Sequence, residues 1–413
     1  MSRPTGLLDL PAELLTEIGT NVVDGSDGYQ GHTGTKTLKA CRLTCKTLAF
    51  HFRPFILHTV TLQNVSRLQT LYDILSGNKD FRYLVKAVTI RILSWHHSPL
   101  THAAAFPEFL QLLTNVRSVV ISGVDFTGSS NSAVPEASLD AIIDLCTQPT
   151  VRQLKFFRCT SLPPNIPFHP SLNDITIQNT SFRLEDIKDD EEHLDWGSSK
   201  NLKLSFLSNS QLQIAPLLWS PHRRLFDHVH KLSVEVTGGS PHGFLAIEEV
   251  IRMCSRSGRL RDLDLSFNSQ ESLRAPIIDS AKLDLTGATD LRTFRFAYSR
   301  STVPGVWRSL KMLHKMFSSV ECWNALQTVV IELDVGMIDP IGPLIQSDMG
   351  WEELDRMLSD GKAFPALESV RVEFQLHHDG LYMPELKEVR RTVASLLPSL
   401  PRNVGKCRVK CLR

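Results

Sequence analysis

Leu260-Arg261-Asp262-Leu263-Asp264-Leu265 is apolar at its first, fourth and sixth places and charged at the other three. The alternation over its last three places has a period of two, which reads as a short strand with one buried face. The same pattern returns as Leu291-Arg292-Thr293-Phe294-Arg295-Phe296, as Leu326-Gln327-Thr328-Val329-Val330-Ile331 and as Leu367-Glu368-Ser369-Val370-Arg371-Val372. Upstream copies begin at Val116, Val151, Leu172 and Val229, and a last one at Val404. Weaker copies begin at Leu57, Val85 and Ser199. One or two copies would be ordinary strands of an unrelated sheet. Twelve copies, about 31.5 residues apart on average and 21 to 41 in single intervals, read as a repeat array.

Helical spacing fills the gaps between copies. Val65–Leu75 carries Leu68, Leu71 and Leu75. Phe244–Ser255 carries Leu245, Ile247, Val250, Ile251 and Cys254. Val306–Cys322 carries Leu310, Leu313, Phe317 and Val320, and Pro384–Leu397 opens with a proline suited to a first turn. The unit is strand, loop, helix, loop. The chain from about 57 to 413 therefore resembles the leucine-rich repeat family. That resemblance implies an irregular solenoid, with a curved parallel sheet inside and helices outside. The ninth place, where the family holds its turn with Asn or Cys, is Asn268 or Cys159 in two copies. It is Val65, Thr180, Ser299 or Gln375 in others, so the curvature is not readable.

Composition agrees with an array. Leucine is in surplus, with 57 among 413 residues. Lys plus Arg is 45 against 44 Asp plus Glu, a formal charge of +1, which gives no global basic field for nucleic acid. No run is long and apolar enough for a membrane span, the opening residues lack the apolar core of a secretory signal, and the eight cysteines are scattered. A reduced cytoplasmic or nuclear protein is expected.

The first 55 residues do not fit the repeat, and the expected division is a helical module over 1–62 followed by the array over 63–413. Leu10-Pro11-Ala12-Glu13-Leu14-Leu15-Thr16-Glu17-Ile18 starts a helix whose Leu14, Leu15, Ile18 and Val22 form a stripe. A second helix is expected over about Thr37–Phe52, where Leu38, Cys41, Cys45, Leu48 and Phe52 step by threes and fours. Leu43 and Phe50 lie off that stripe, which implies a second partner. Residues 24–37, rich in Gly, Ser and Thr, read as a flexible loop. So small a helical module cannot bury both stripes alone.

Together, the L-P-x-E-L-L-x-x-I opening, Leu38-x-x-Cys41-Arg42-Leu43-Thr44-Cys45-Lys46, and Arg53-Pro54-Phe55 leading to Val60-x-Leu62 resemble an F-box of the fungal type. The long loop and Leu48, where the family often has Trp, depart from it. The resemblance implies binding to a Skp-type adaptor and, through it, a cullin scaffold. The implied contacts are Leu10, Pro11, Leu14, Leu15, Ile18, Leu43, Cys45 and Lys46.

Chemistry-bearing motifs are weak. Gly28, Gly31 and Gly34 precede Thr35-Lys36-Thr37 with the wrong spacing for a phosphate loop. The acidic stretch from Glu185 to Asp195 lacks the ligand alternation of a calcium loop. Cys41/Cys45, Cys407/Cys411, His96-His97, His228-x-His230 and His377-His378-Asp379 each lack the further ligands a metal needs, so no metal, cofactor or catalytic residue is expected. The informative places are the second and fifth of each copy. The second holds Lys86, Arg117, Arg152, Lys200, Arg261 and Arg292, and the fifth holds Lys155, Lys203, Asp264, Arg295, Arg371 and Arg408. Such recurrent cations are either solvated strand edges or a target surface for an acidic or phosphorylated protein segment. Lys155, Arg261, Asp264, Arg292, Arg295, Arg371 and Arg408 are the expected target contacts; nucleic acid is disfavoured because stacking aromatics are sparse.

The expected function is the substrate-recognition subunit of a cullin-based ubiquitin ligase, feeding ubiquitin-dependent degradation and performing no bond chemistry itself. A protein-interaction scaffold outside any ligase, and an α/β enzyme mistaken for a repeat array, are the alternatives.

Overall fold

The structure, a computed structural model, describes residues 10–24, 37–38, 40–41, 43–92, 98–127, 134–163, 166, 171–183, 200–207, 226–237, 241–267, 285–301, 303–335, 350–377, 391, 396–400 and 405–412. It is an α/β protein whose strands pair in parallel and in chain order. It forms two compact units, Met1–Leu154 and Lys155–Arg413.

The first unit opens with α1 (Ala12–Asp24) and α2 (Lys46–His58), which runs directly into β1 (Thr59–Leu62). Then come α3 (Val65–Gly77), α4 (Lys79–Leu84), β2 (Ala87–Arg91), α5 (Pro99–His102), α6 (Ala105–Gln111), β3 (Ser118–Ser122) and α7 (Glu136–Cys146). Helix α3 begins where the Asn64 side chain accepts the Arg67 N–H at 2.8 Å, and it buries Leu68, Leu71 and Leu75 as its spacing predicts. Val60, Val88 and Val119 face one another in register, as do Leu62, Ile90 and Ile121, and all six are buried.

Strand β4 (Gln153–Phe157) spans the boundary between the units. The second unit continues with β5 (Asp174–Gln178), β6 (Asn201–Leu207), β7 (Lys231–Thr237), α8 (Pro241–Arg256), β8 (Asp262–Phe267), β9 (Thr293–Ser301), α9 (Val303–Ser318), β10 (Thr328–Val335), α10 (Trp351–Leu358), β11 (Ser369–His377) and β12 (Gly405–Leu412). Its register runs unbroken from Ile175 through Leu202, Leu232, Leu263, Phe294 and Val329 to Val370. These are the fourth places of seven successive copies, and all are buried. Helices cover that side: Phe317 of α9 packs edge-on against Phe294 at 5.1 Å and against Trp323 and Phe364 at 5.8 Å. The Trp323 indole N–H satisfies the Phe317 carbonyl at 3.0 Å.

Three expectations change. Val370 pairs with Gly405 and not Cys407, so β12 is displaced by two residues. An even displacement keeps the same face toward the core, which makes it tolerable, but it moves Arg408 from beside Arg371 to beside Glu373. The expected helix over 37–52 breaks at Cys45, whose backbone is extended while its Sγ accepts the Leu48 N–H at 3.4 Å and starts α2. Helix α2 then carries Pro54 in its interior and continues to His58. The helix expected to reach Cys322 ends at Ser318. The loop residues 25–36, Arg42, Glu185 to Asp195, His96-His97, Asn268 and most of Pro384–Leu397 lie outside the described residues.

The turn after several strands has a common form. The eighth place of three copies, Gly123, Arg158 and Asn179, has a positive φ of 75°, 52° and 51°. Thr180, at the ninth place, is buried and pins the turn: its hydroxyl accepts the Cys159 N–H at 3.3 Å and donates to the Gln178 carbonyl at 3.0 Å.

Candidate functional site

Two surfaces stand out, one in each unit. In the first, α1, α2 and Leu38 ahead of α2 form a small core of Leu15, Leu38, Leu48 and Phe52, with Leu10, Val22, Cys41, Cys45, Phe55 and Ile56 packed against it. Gly19 permits the close approach of the two helices, because a Cβ there would overlap the Phe55 ring. Arg53 of α2 lies over the Phe81 ring of α4 at 5.0 Å, a cation–π contact.

The stripe that reads as one face from sequence is thus consumed inside the module. Leu14, Leu43 and Phe50 point elsewhere and are 44%, 82% and 70% exposed. Among the expected adaptor contacts, Pro11, Leu14, Leu43 and Lys46 are exposed. Leu10, Ile18 and Cys45 are half-buried, and Leu15, at 2% exposed, belongs to the module's own core. Phe50 was not among the expected contacts, although its position off the stripe already set it apart.

The second surface is the side of the second unit's sheet away from the helices. The fifth places align as Lys203, Ser233, Asp264, Arg295, Val330 and Arg371. The row two residues further along aligns Glu235, Ser266, Ala297, Glu332 and Glu373. Arg295 is not available to a target in the way expected. Its Nη2 donates to Glu332 Oε2 at 2.8 Å and its Nη1 lies 3.7 Å from Asp264 Oδ2. The bond to Glu332 holds the guanidinium above its usual range, against the effect of its own burial. Burial raises the Asp264 carboxyl, with Arg295 pulling the other way. Glu373 is 7% exposed. The face is therefore mixed in charge, with Asp264 among the fifth places and Glu235, Glu332 and Glu373 in the next row. Lys155, Arg261, Arg292 and Arg371 are exposed, and for Arg408 only the register position is described.

The second places lie just ahead of the strands, at the amino-terminal edge of the sheet. There the backbone runs as a ladder in which each carbonyl accepts two successive N–H groups. Lys200 O takes His230 N and Lys231 N at 2.8 and 2.9 Å, and His230 O takes Arg261 N and Asp262 N at 2.7 and 3.0 Å. Arg261 O takes Arg292 N and Thr293 N at 2.7 and 3.0 Å. The first unit repeats the ladder through Lys86, Arg117 and Arg152. Burial, and then the neighbouring Arg117, lowers the Lys86 ammonium.

Among the described residues no group of three or more His, Cys, Asp or Glu is placed to hold a metal ion, and no helix is long and apolar enough to cross a membrane. No family model and no curated protein matches the chain.

Proposed function

We propose that the chain is a substrate-recruiting subunit of a cullin-based ubiquitin ligase. In this reading its first helices are an F-box-like module that docks on a Skp-type adaptor, and its leucine-rich-repeat-like array holds the target. The observation that carries the reading is the outward placement of Leu14, Leu43 and Phe50 on a module whose Leu15, Leu38, Leu48 and Phe52 are consumed in its own core. Apolar helical side chains of this kind fit an apolar groove on a partner. The residues that carry the F-box resemblance include two of the three, Leu14 and Leu43. Catalysis would belong to the recruited conjugating enzyme, which the array serves by bringing the target close.

The test is capture of the full chain by a purified Skp-type adaptor. The wild type should be retained, and Leu43→Asp with Phe50→Asp should abolish retention while the circular dichroism and the melting temperature stay unchanged. Retention of the double variant at wild-type affinity overturns the docking surface. Retention of adaptor without any cullin in the assembled complex points to a scaffold outside the ligase.

A further inference from the structure

Four successive second places of the second unit, Lys200, His230, Arg261 and Arg292, are basic, and the backbone ladder holds them in one line. Asn173 precedes the run, and Gln327 and Glu368 end it. Neighbouring parallel strands lie about 4.8 Å apart, so the four span about 14 Å, the length of roughly four residues of extended chain. Arg259 joins the cluster and donates from Nη1 to His228 Nδ1 at 2.8 Å.

Lys200, Arg261 and Arg292 make no ion pair among the described residues, although Asp227, Asp262 and Asp290 are close in sequence. The three cations are exposed. Burial lowers the His230 imidazole, and Arg261, Lys200, Arg259 and His228 push it the same way. Elsewhere in this unit the opposite solution is found, since Arg295 is matched by Glu332 and Asp264.

We infer that the edge formed by Lys200, His230, Arg261 and Arg292 binds an extended anionic peptide segment, carboxylate-rich or phosphorylated, laid across β6 to β9. Guanidinium groups take carboxylate or phosphate oxygens in pairs, and a line of them reads spaced charges along a strand-like ligand. The inference gives the target-recruiting half of the proposed function its place and chemistry. It rests on that reading only in taking a protein segment as the occupant.

The experiment is fluorescence anisotropy with the full chain and labelled peptides of one length bearing four glutamates, four phosphoserines or four glutamines, with a short DNA duplex as a further probe. A glutamate or phosphoserine peptide should bind at least about tenfold tighter than the glutamine peptide, and more weakly as salt rises. Arg261→Glu with Arg292→Glu should remove that preference, and Arg261→Lys with Arg292→Lys should restore part of it. The His230 ring signals should titrate at higher pH once peptide is bound. Equal binding of the anionic and glutamine peptides, an unchanged affinity in the Glu double variant, or tighter binding of DNA than of either anionic peptide overturns the inference. The Leu43→Asp, Phe50→Asp variant should bind peptide as the wild type does, so the adaptor reading and this one fail separately.

Discussion

Arg295 Nη2 donates to Glu332 Oε2 at 2.8 Å across neighbouring strands, one step diagonal to the register that pairs Arg295 with Val330. The same guanidinium stands 3.7 Å from Asp264 on its other side. One cation thus ties three strands. Arg295 is 46% exposed, so solvent screens much of this attraction. Arg295→Met should lower stability by about 0.5–1 kcal/mol in urea denaturation. The loss should shrink in high salt, and a salt-independent loss would assign the effect to packing.

Asp264 gives a pH signature of definite sign. Burial raises its folded-state carboxyl above the unfolded value, so the folded protein holds that proton more tightly. Its ionisation therefore costs stability, a cost absent below the ordinary carboxylate range and complete once pH has risen through the raised value. Asp264→Asn should be at least as stable as the wild type at pH 7, with the gap closing toward about pH 4. A gap that widens on acidification would reverse the assignment.

Gly123 has a φ of 75°, and a Cβ there would overlap the Ile92 carbonyl oxygen. Gly123→Ala should cost about 2–4 kcal/mol from the left-handed backbone and the overlap together. Gly77, at the end of α3, has nothing within 4 Å of such a Cβ, and Gly77→Ala should leave stability unchanged or slightly higher. Equal melting temperatures for the two variants would contradict this account.

In the helical module the side chains that hold the fold differ from those that face outward. Leu15→Ala and Phe52→Ala remove side chains 2% and 1% exposed and should each cost about 2–5 kcal/mol. Leu43→Asp changes a side chain 82% exposed and should move stability by less than about 0.5 kcal/mol. Thermal melts of the three variants decide it: similar losses at Leu43 and Leu15 would mean that Leu43 is covered in solution.

Asp355 of α10 is buried, and its Oδ2 accepts the Ser399 N–H at 2.9 Å. This bond fastens residues 396–400 to the helix. Asp355→Ala should cost about 1–3 kcal/mol, because the Ser399 amide loses its acceptor. Hydrogen exchange should show faster exchange at residue 399, with β9 and β10 unaffected.

The strands were legible because each copy carries two alternating apolar places, from Val60 and Leu62 through Val370 and Val372, and these are buried. The β12 register was not legible, because Gly405-Lys406-Cys407-Arg408-Val409 offers no large apolar side chain that would choose between two registers of equal parity. The break at Cys45 was hidden for a similar reason: its half-buried side chain keeps the stripe intact while its backbone leaves the helix. The mixed charge of the sheet face is not legible from the second and fifth places, because Glu235, Glu332 and Glu373 occupy the seventh. The outward Leu43 and Phe50 were readable from their angular position alone.

Register in the second unit holds from Ile175 to Val370 although the intervals between those copies range from 27 to 41 residues. The ladder is blind to what is inserted between its rungs. Evolution can therefore lengthen or replace a connecting segment one repeat at a time, without re-tuning the neighbouring strands. The protein is in that sense a rack with interchangeable drawers, able to take on new connecting segments while its frame stays in line.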